Sequence, residues 1–180
     1  MKKSLIKEII IPSGVEVKIK DNEITTKGPL GELKKEFKLG KMEFVKGAEK
    51  LSLKVEKATK RDKRELNTIT AHITNMIQGV QEKFEYKLKI CYGHFPFTVK
   101  IEDKKAIIKN FLGEKVQREA IIPNNAEVEM QKEYIIIKAL DKEIAGQAAA
   151  NLETATKIKG RDRRRFQDGI YIINKCGKEI

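Results

Sequence analysis

The sequence predicts an α+β protein of two tandem duplicated domains, each a small, mostly antiparallel sheet with one packed helix. Three observations predict it. Short stretches recur at a fixed offset of 111: Ile10-Ile11-Pro12 over Ile121-Ile122-Pro123, Val15-Glu16-Val17 over Ala126-Glu127-Val128, and Glu23–Lys27 over Tyr134–Lys138. Each copy is a series of short strand-like runs separated by turn residues. Each series ends in one stretch of helical periodicity. Two copies of one unit place a boundary near Val80–Lys83, giving a domain over 1–82 and a second over 83–180 that ends in a basic tail.

In the first copy, Val15, Val17 and Ile19 alternate with polar residues, so Val15–Lys20 is a half-buried strand. Asp21-Asn22 is a turn and Glu23–Thr26 the return strand. Gly28-Pro29-Leu30-Gly31 is a second turn; Leu33–Leu39, Met42–Val45 and Leu51–Val55 are further short strands. Such an antiparallel meander needs a cover on one face. The cover is a helix from about Lys60 to Val80, with Leu66, Ile69, Ile73, Met76, Ile77 and Val80 on one stripe. Its opposite side (Asn67, Ala71, Thr74, Asn75, Gln78) is polar but uncharged, either plain solvent surface or a face close to a hydrogen-bonding partner.

The second copy opens with the alternating run Phe84–Ile90 and a loop, Tyr92-Gly93-His94-Phe95-Pro96, rich in aromatic rings. Thr98–Ile101 and Ala106–Phe111 form a hairpin, and Leu112–Lys115 turns into a strand over Val116–Ile122. After the repeated strand pair, Asp141 is placed to cap a helix running to about Thr156, with Ile144, Ala148, Leu152 and Ala155 facing the sheet. Lys157–Ile180 follows as a tail.

Charge narrows the function. Charged residues make up 36% of the 180, above the usual quarter, and the net charge is +12. The balance favours a polyanionic partner, nucleic acid before an anionic membrane surface. The two halves carry +6 each, but residues 157–180 alone hold 8 basic and 3 acidic residues, leaving 83–156 at +1. Within nine positions stand Lys157, Lys159, Arg161, Arg163, Arg164 and Arg165, followed by Phe166 and, past Asp168-Gly169, the apolar run Ile170–Ile173. One reading is a solvated charged tail. The other is a set of guanidinium groups held against phosphates, with Ile170–Ile173 as anchor. A second cluster, Lys57, Lys60, Arg61, Lys63 and Arg64, sits at the start of the first helix. Cations there oppose the helix macrodipole at about 0.3–1 kcal/mol each, a penalty that a partner's phosphates would remove.

Catalysis finds little support. His72 and His94 lie in different copies, and no GxSxG, HExxH or Lys-Ser/Thr phosphate loop occurs. Lys27–Gly31 has the glycines of a phosphate loop but Pro29 removes a donor, so it reads as a turn. Cys91 and Cys176 are far apart without CxxC spacing, which leaves zinc and a disulfide framework unsupported and makes each a small buried or half-buried hydrophobe. No run approaches a membrane span, and Met1–Gly14 is too soon interrupted by Glu8 and Pro12 for a signal peptide, so cytoplasmic residence is expected.

Several stretches, in order over nearly the full length, carry a resemblance: Lys27–Leu33, Asn75–Val80, Tyr86-Lys87, Tyr92–Pro96, Asn110–Lys115 and Arg163–Tyr171. They are similar to the large-subunit ribosomal protein L-six family in its archaeal and eukaryotic form. The resemblance implies two domains of one fold and no enzymatic activity or cofactor. It implies a structural role on large-subunit ribosomal RNA near the sarcin–ricin loop and the base of the stalk, where translational GTPases dock. The partners implied are that RNA and neighbouring large-subunit proteins, the stalk base included, with no membrane and no homo-oligomer. It carries RNA contact onto Lys157, Lys159, Arg161, Arg163, Arg164, Arg165 and Phe166, and onto Gly93, His94 and Phe95. Lys60, Arg61, Lys63 and Arg64 are added on charge alone. The alternatives are a regulatory RNA-binding module outside the ribosome and an enzyme acting on RNA; the second would need a polar constellation that the sequence does not display.

Overall fold

The computed structural model describes residues 4–20, 22–38, 40–47 and 50–180, without the side chain of Lys46. The expected turn residue Asp21 and the strand end expected at Leu39 lie outside the described residues. The chain divides between Lys83 and Phe84 into two compact units.

The first unit contains β1 (Leu5–Ile10), β2 (Glu16–Lys20), β3 (Glu23–Gly28), β4 (Gly31–Glu36), β5 (Met42–Lys46), β6 (Lys50–Val55) and α1 (Lys60–Gly79). Its strands do not form one meander. They divide into two antiparallel sheets, β1-β6-β5 and β2-β3-β4. Strand β1 was not expected from the sequence: Ile6, Ile9 and Ile10 do not keep period two, because Ile6 and Ile10 face outward. Helix α1 packs on β1, β6 and β3. Leu66, Ile69, Ile73, Met76, Ile77 and Val80 are all buried, against Ile9, Val17, Ile24, Leu51, Leu53 and Val55. Full burial of a branched side chain contributes about 1.5–3 kcal/mol, so this stripe outweighs the poor electrostatics of the basic first turn.

The second unit contains β7 (Phe84–Cys91), β8 (Thr98–Glu102), β9 (Lys105–Lys109), a 3-10 turn at Phe111–Gly113, β10 (Arg118–Ile121), β11 (Glu127–Gln131), β12 (Tyr134–Ala139), α2 (Lys142–Ala155), β13 (Gly169–Lys175) and β14 (Lys178–Glu179). Its sheets are β10-β9-β8 and β11-β12-β7-β13-β14. The hairpin strand expected to reach Phe111 stops at Lys109, where Asn110 turns left-handed (φ 62°). Asp141 does cap α2, its carboxylate accepting from the Glu143 N–H at 2.9 Å. The buried face of α2 is Ala145, Ala148, Ala149 and Leu152. Ile144 and Ala155, expected on that face, are half-buried at its margins. Small residues let α2 approach closely: a Cβ on Gly146 would stand 3.2 Å from the Tyr86 hydroxyl.

The repeat has a permuted chain order. The offset of 111 lays β2 and β3 end to end on β11 and β12. Beyond them the copies part. β3 pairs with the strand that follows it, through Gly28↔Gly31. β12 pairs in the same sense with β7, which precedes it, through Ala139↔Phe84. The hairpin β5–β6, paired with β1, is matched by β8–β9, paired with β10. The second copy thus begins at the equivalent of β4, and α2 follows β12 where the Pro29-Leu30 turn follows β3. Nor is the last segment appended as a free tail. β13 lies inside the sheet, between β7 and β14, with Ile170 fully buried.

The Pro29-Leu30 turn packs on the end of α1. Leu30 N–H donates to the Val80 carbonyl at 3.1 Å. A Cβ on Gly28 would lie 2.7 Å from Val80 Cγ2 and 2.9 Å from Val80 O. Gly28→Ala is therefore expected to destabilise the first unit by about 1–3 kcal/mol, measured as a lower urea midpoint. An unchanged midpoint would show that the turn can back away from the helix.

Candidate nucleic-acid interface

Asp168 organises the basic end of the second unit. It precedes β13, and only 1% of its side chain is exposed. Its Oδ1 accepts from the backbone N–H of Gly93 (2.6 Å) and of His94 (3.0 Å). Its Oδ2 lies 2.6 Å from His94 Nδ1. Burial pushes the Asp168 pKa up, but the two amides and the His94 ring outweigh it, and the carboxyl titrates below the usual aspartate range. An ionised carboxylate is only an acceptor, so His94 Nδ1 carries the proton and Nε2 is left facing elsewhere. One buried charge thus ties the loop after β7 to the start of β13.

The His94 ring stacks on Phe166, with centroids 4.5 Å apart and planes at 16°. The Arg161 guanidinium lies over the same Phe166 ring at 4.8 Å. Gly93, His94, Arg161 and Phe166 therefore form one assembly. Phe95 does not join it: the residue is 52% exposed and its ring borders Gly113.

The arginine run is not uniform. Asp162 Oδ1 accepts from the Arg164 N–H at 3.0 Å, an Asx-type turn, and the Asp162 carbonyl accepts from the N–H of Arg165 and Phe166. The Asp162 carboxylate also takes Nε and Nη2 of Arg164, which holds its pKa below the usual range. Among the described residues, Lys157, Lys159, Arg163 and Arg165 are exposed and in no ion pair. So the turn partly neutralises Arg164 while leaving Arg163 and Arg165 free for an anion.

Two residues that sequence reasoning missed hold this segment on the domain. Thr156, 2% exposed, accepts from the Ile170 N–H (2.9 Å) and donates back into the last turn of α2. Arg118 forms a two-point pair with Glu114 (2.8 and 2.6 Å) and donates to the carbonyls of Ala155 (2.9 Å) and Lys157 (3.2 Å). The Ala155 carbonyl is one that the end of α2 leaves without a partner, and Lys157 lies two residues beyond it. Arg118 reads in sequence as one more exposed strand cation; only its long-range partners distinguish it.

The other cluster lies in the first unit. Thr59 and Asp62 form a reciprocal capping box at the start of α1, with Thr59 N–H to Asp62 Oδ2 at 2.8 Å. Asp62 thus supplies the negative charge that the helix N-terminus favours. Arg61 pairs with Glu65 at 2.8 Å. Lys60, Lys63 and Arg64 are exposed and in no ion pair among the described residues. Unlike 157–166, this cluster has no aromatic stack among the described residues. Lys60→Ala and Arg61→Ala are expected to lower RNA affinity less than changes at Arg163 and Arg165, read by filter binding; a larger loss at the helix would reverse the ranking. His72, on the flank of α1, tilts against the Phe37 ring at 6.0 Å.

Among the described residues no cluster of His, Cys, Asp and Glu could hold a metal, and no helix is long and apolar enough to cross a membrane. Cys91 and Cys176 are free and half-buried.

Residues 11–83 and 95–169 match the sequence profile of the family described as Ribosomal protein L6. Among curated relatives, the large ribosomal subunit protein uL6 of Methanobrevibacter smithii is 46% identical over 93% of this chain and 94% of its own. Those of Methanothrix thermoacetophila (41%, over 97% and 99%) and Methanosphaera stadtmanae (46%, over 97% and 96%) are similar at full length too.

Proposed function

Because the chain belongs to the ribosomal protein L6 family, a structural and non-enzymatic component of the large ribosomal subunit, we propose that it binds large-subunit ribosomal RNA through the basic end of its second unit. The domain over 83–180 carries the principal RNA face, and the domain over 1–82 a weaker one at Lys60, Arg61, Lys63 and Arg64. The bound RNA lies near the sarcin–ricin loop and the base of the stalk, and the protein braces the fold on which translation factors dock. Its neighbours are large-subunit proteins of the cytoplasmic ribosome.

The observation that carries this reading is the free pair Arg163 and Arg165 beside the Arg161–Phe166–His94 stack, whose His94 is held by buried Asp168. Free guanidinium forks suit phosphates, and stacked rings suit unpaired bases, which is how folded RNA is recognised. The test is assembly. The chain should co-sediment with large subunits at physiological salt, and Arg163 and Arg165 should be shielded from arginine-directed reagents there. Material that runs free of subunits and binds another RNA instead would favour the regulatory module.

A further inference from the structure

We propose that the pocket between the end of α2 and the 163–171 segment receives one unstacked nucleotide of the bound RNA. This deepens the RNA reading above and rests on it. The pocket holds about 310 Å³, at the small end of ligand sites, which run from roughly 300 Å³ upward. That suits one base and excludes a helix or strand.

Its lining has the mixed chemistry of a nucleotide. Ile158 and Ile170 are buried and supply an apolar base. Tyr171, with 40% of its surface exposed, supplies the aromatic face, and Phe166, whose ring already carries His94 and Arg161, walls the pocket beside it. Lys157 and Arg163, both exposed and in no ion pair among the described residues, are its two cations. The Tyr171 ring attracts a base face, and the two cations attract the phosphates on either side of it. A peptide side chain would satisfy the rings but not both cations, and a bare anion would satisfy the cations but not the rings.

The rings are also fixed in place. Tyr171 lies across Gly169, where a Cβ would stand 3.2 Å from its ring, and its hydroxyl donates to the Asp168 carbonyl at 3.4 Å. Phe166 is braced by the His94 stack. The pocket therefore needs little ordering on binding. Glu153 is its one acidic side chain, an acceptor that favours a base with an exocyclic amino group over uracil.

The test uses the full chain with labelled isoleucine methyl groups, followed by NMR during titration with AMP, GMP, CMP, UMP or inorganic phosphate at constant ionic strength. The expected result is saturable shifts at Ile158 and Ile170 with the nucleotides, weakest for UMP, and none with phosphate. Equal shifts with phosphate would reduce the pocket to an anion site and overturn the proposal, as would no shift with any probe. Tyr171→Leu is expected to weaken nucleotide binding about tenfold and ribosomal RNA binding by a similar factor, with the salt dependence unchanged because no cation is lost. If the chain binds no ribosomal RNA at all, the RNA reading fails. If it binds that RNA and the methyl groups ignore nucleotides, only the pocket fails.

Discussion

Asp168→Ala is expected to weaken ribosomal RNA binding about tenfold, although it removes a negative charge from a cationic surface. Electrostatics alone predicts the opposite sign, since deleting an acid raises the positive field seen by phosphates. The loss arises because Asp168 acts through other residues. It holds the Gly93 and His94 amides and the His94 ring, and His94 in turn stacks on Phe166. Without the carboxylate, the 92–95 loop and the Phe166 segment must be ordered on binding, at about 1–2 kcal/mol of backbone entropy per residue fixed. The slope of log affinity against log salt should stay constant, because every cation of the segment remains. Tighter binding by the variant would mean that Asp168 is only a repulsive charge.

The same variant should lose stability. Hydrogen bonds to a charged acceptor contribute about 1.5–3 kcal/mol each, less when the freed donors can reach water, so a total loss of about 2–4 kcal/mol is expected by urea unfolding. The pH dependence has a definite sign. The folded pKa of Asp168 is depressed, so its contribution is present above the unfolded aspartate value of about 4 and is lost as pH falls through the lower folded value. Asp168→Asn should therefore flatten the acid limb of the stability profile below about pH 4. An acid limb identical to that of the parent chain would show that the depressed carboxyl is not what acid titrates.

Replacing Arg163 and Arg165 together with alanine is expected to lower the salt slope by about 1.4–1.8 units, near the full effect of two lost phosphate contacts. Affinity near physiological salt should fall about 10–100-fold. Arg164→Ala should change the slope by clearly less, because Asp162 already accepts two of its nitrogens. Adding it to the pair should therefore move the slope little further. Three equal decrements would show that RNA draws Arg164 away from Asp162. No decrement from the pair would return the segment to a solvated charged surface.

Much of the architecture is legible in the residues. The stripe Leu66–Val80 specifies α1 because only a helix brings those positions onto one face. The match of Val15–Lys27 to Ala126–Lys138 specifies a recurring strand pair, and the pair is there with identical bounds. It fades beyond Lys27 for a physical reason. One chain turns back through Pro29-Leu30 and the other enters α2, so the third strand of the second copy comes from earlier in the sequence, at β7. Pairing partners are a long-range property, and local alternation does not encode them. The division into two sheets and the interior place of β13 escape the sequence for the same reason.

For the candidate site, the residues in order give the inventory: where the cations are, that Phe166 follows them, and that an aromatic loop stands at 92–96. Charge and composition are sums over residues, so they need no coordinates. Which of these meet depends on long-range packing. It brought His94 onto Phe166 across more than seventy positions, left Phe95 apart, paired Arg164 with Asp162 and left Arg163 and Arg165 free. The determining residue, Asp168, looks in sequence like half of a turn. Its burial, and with it the strength of its bonds to Gly93 and His94, exists only once β13 lies beside β7 and closes water out.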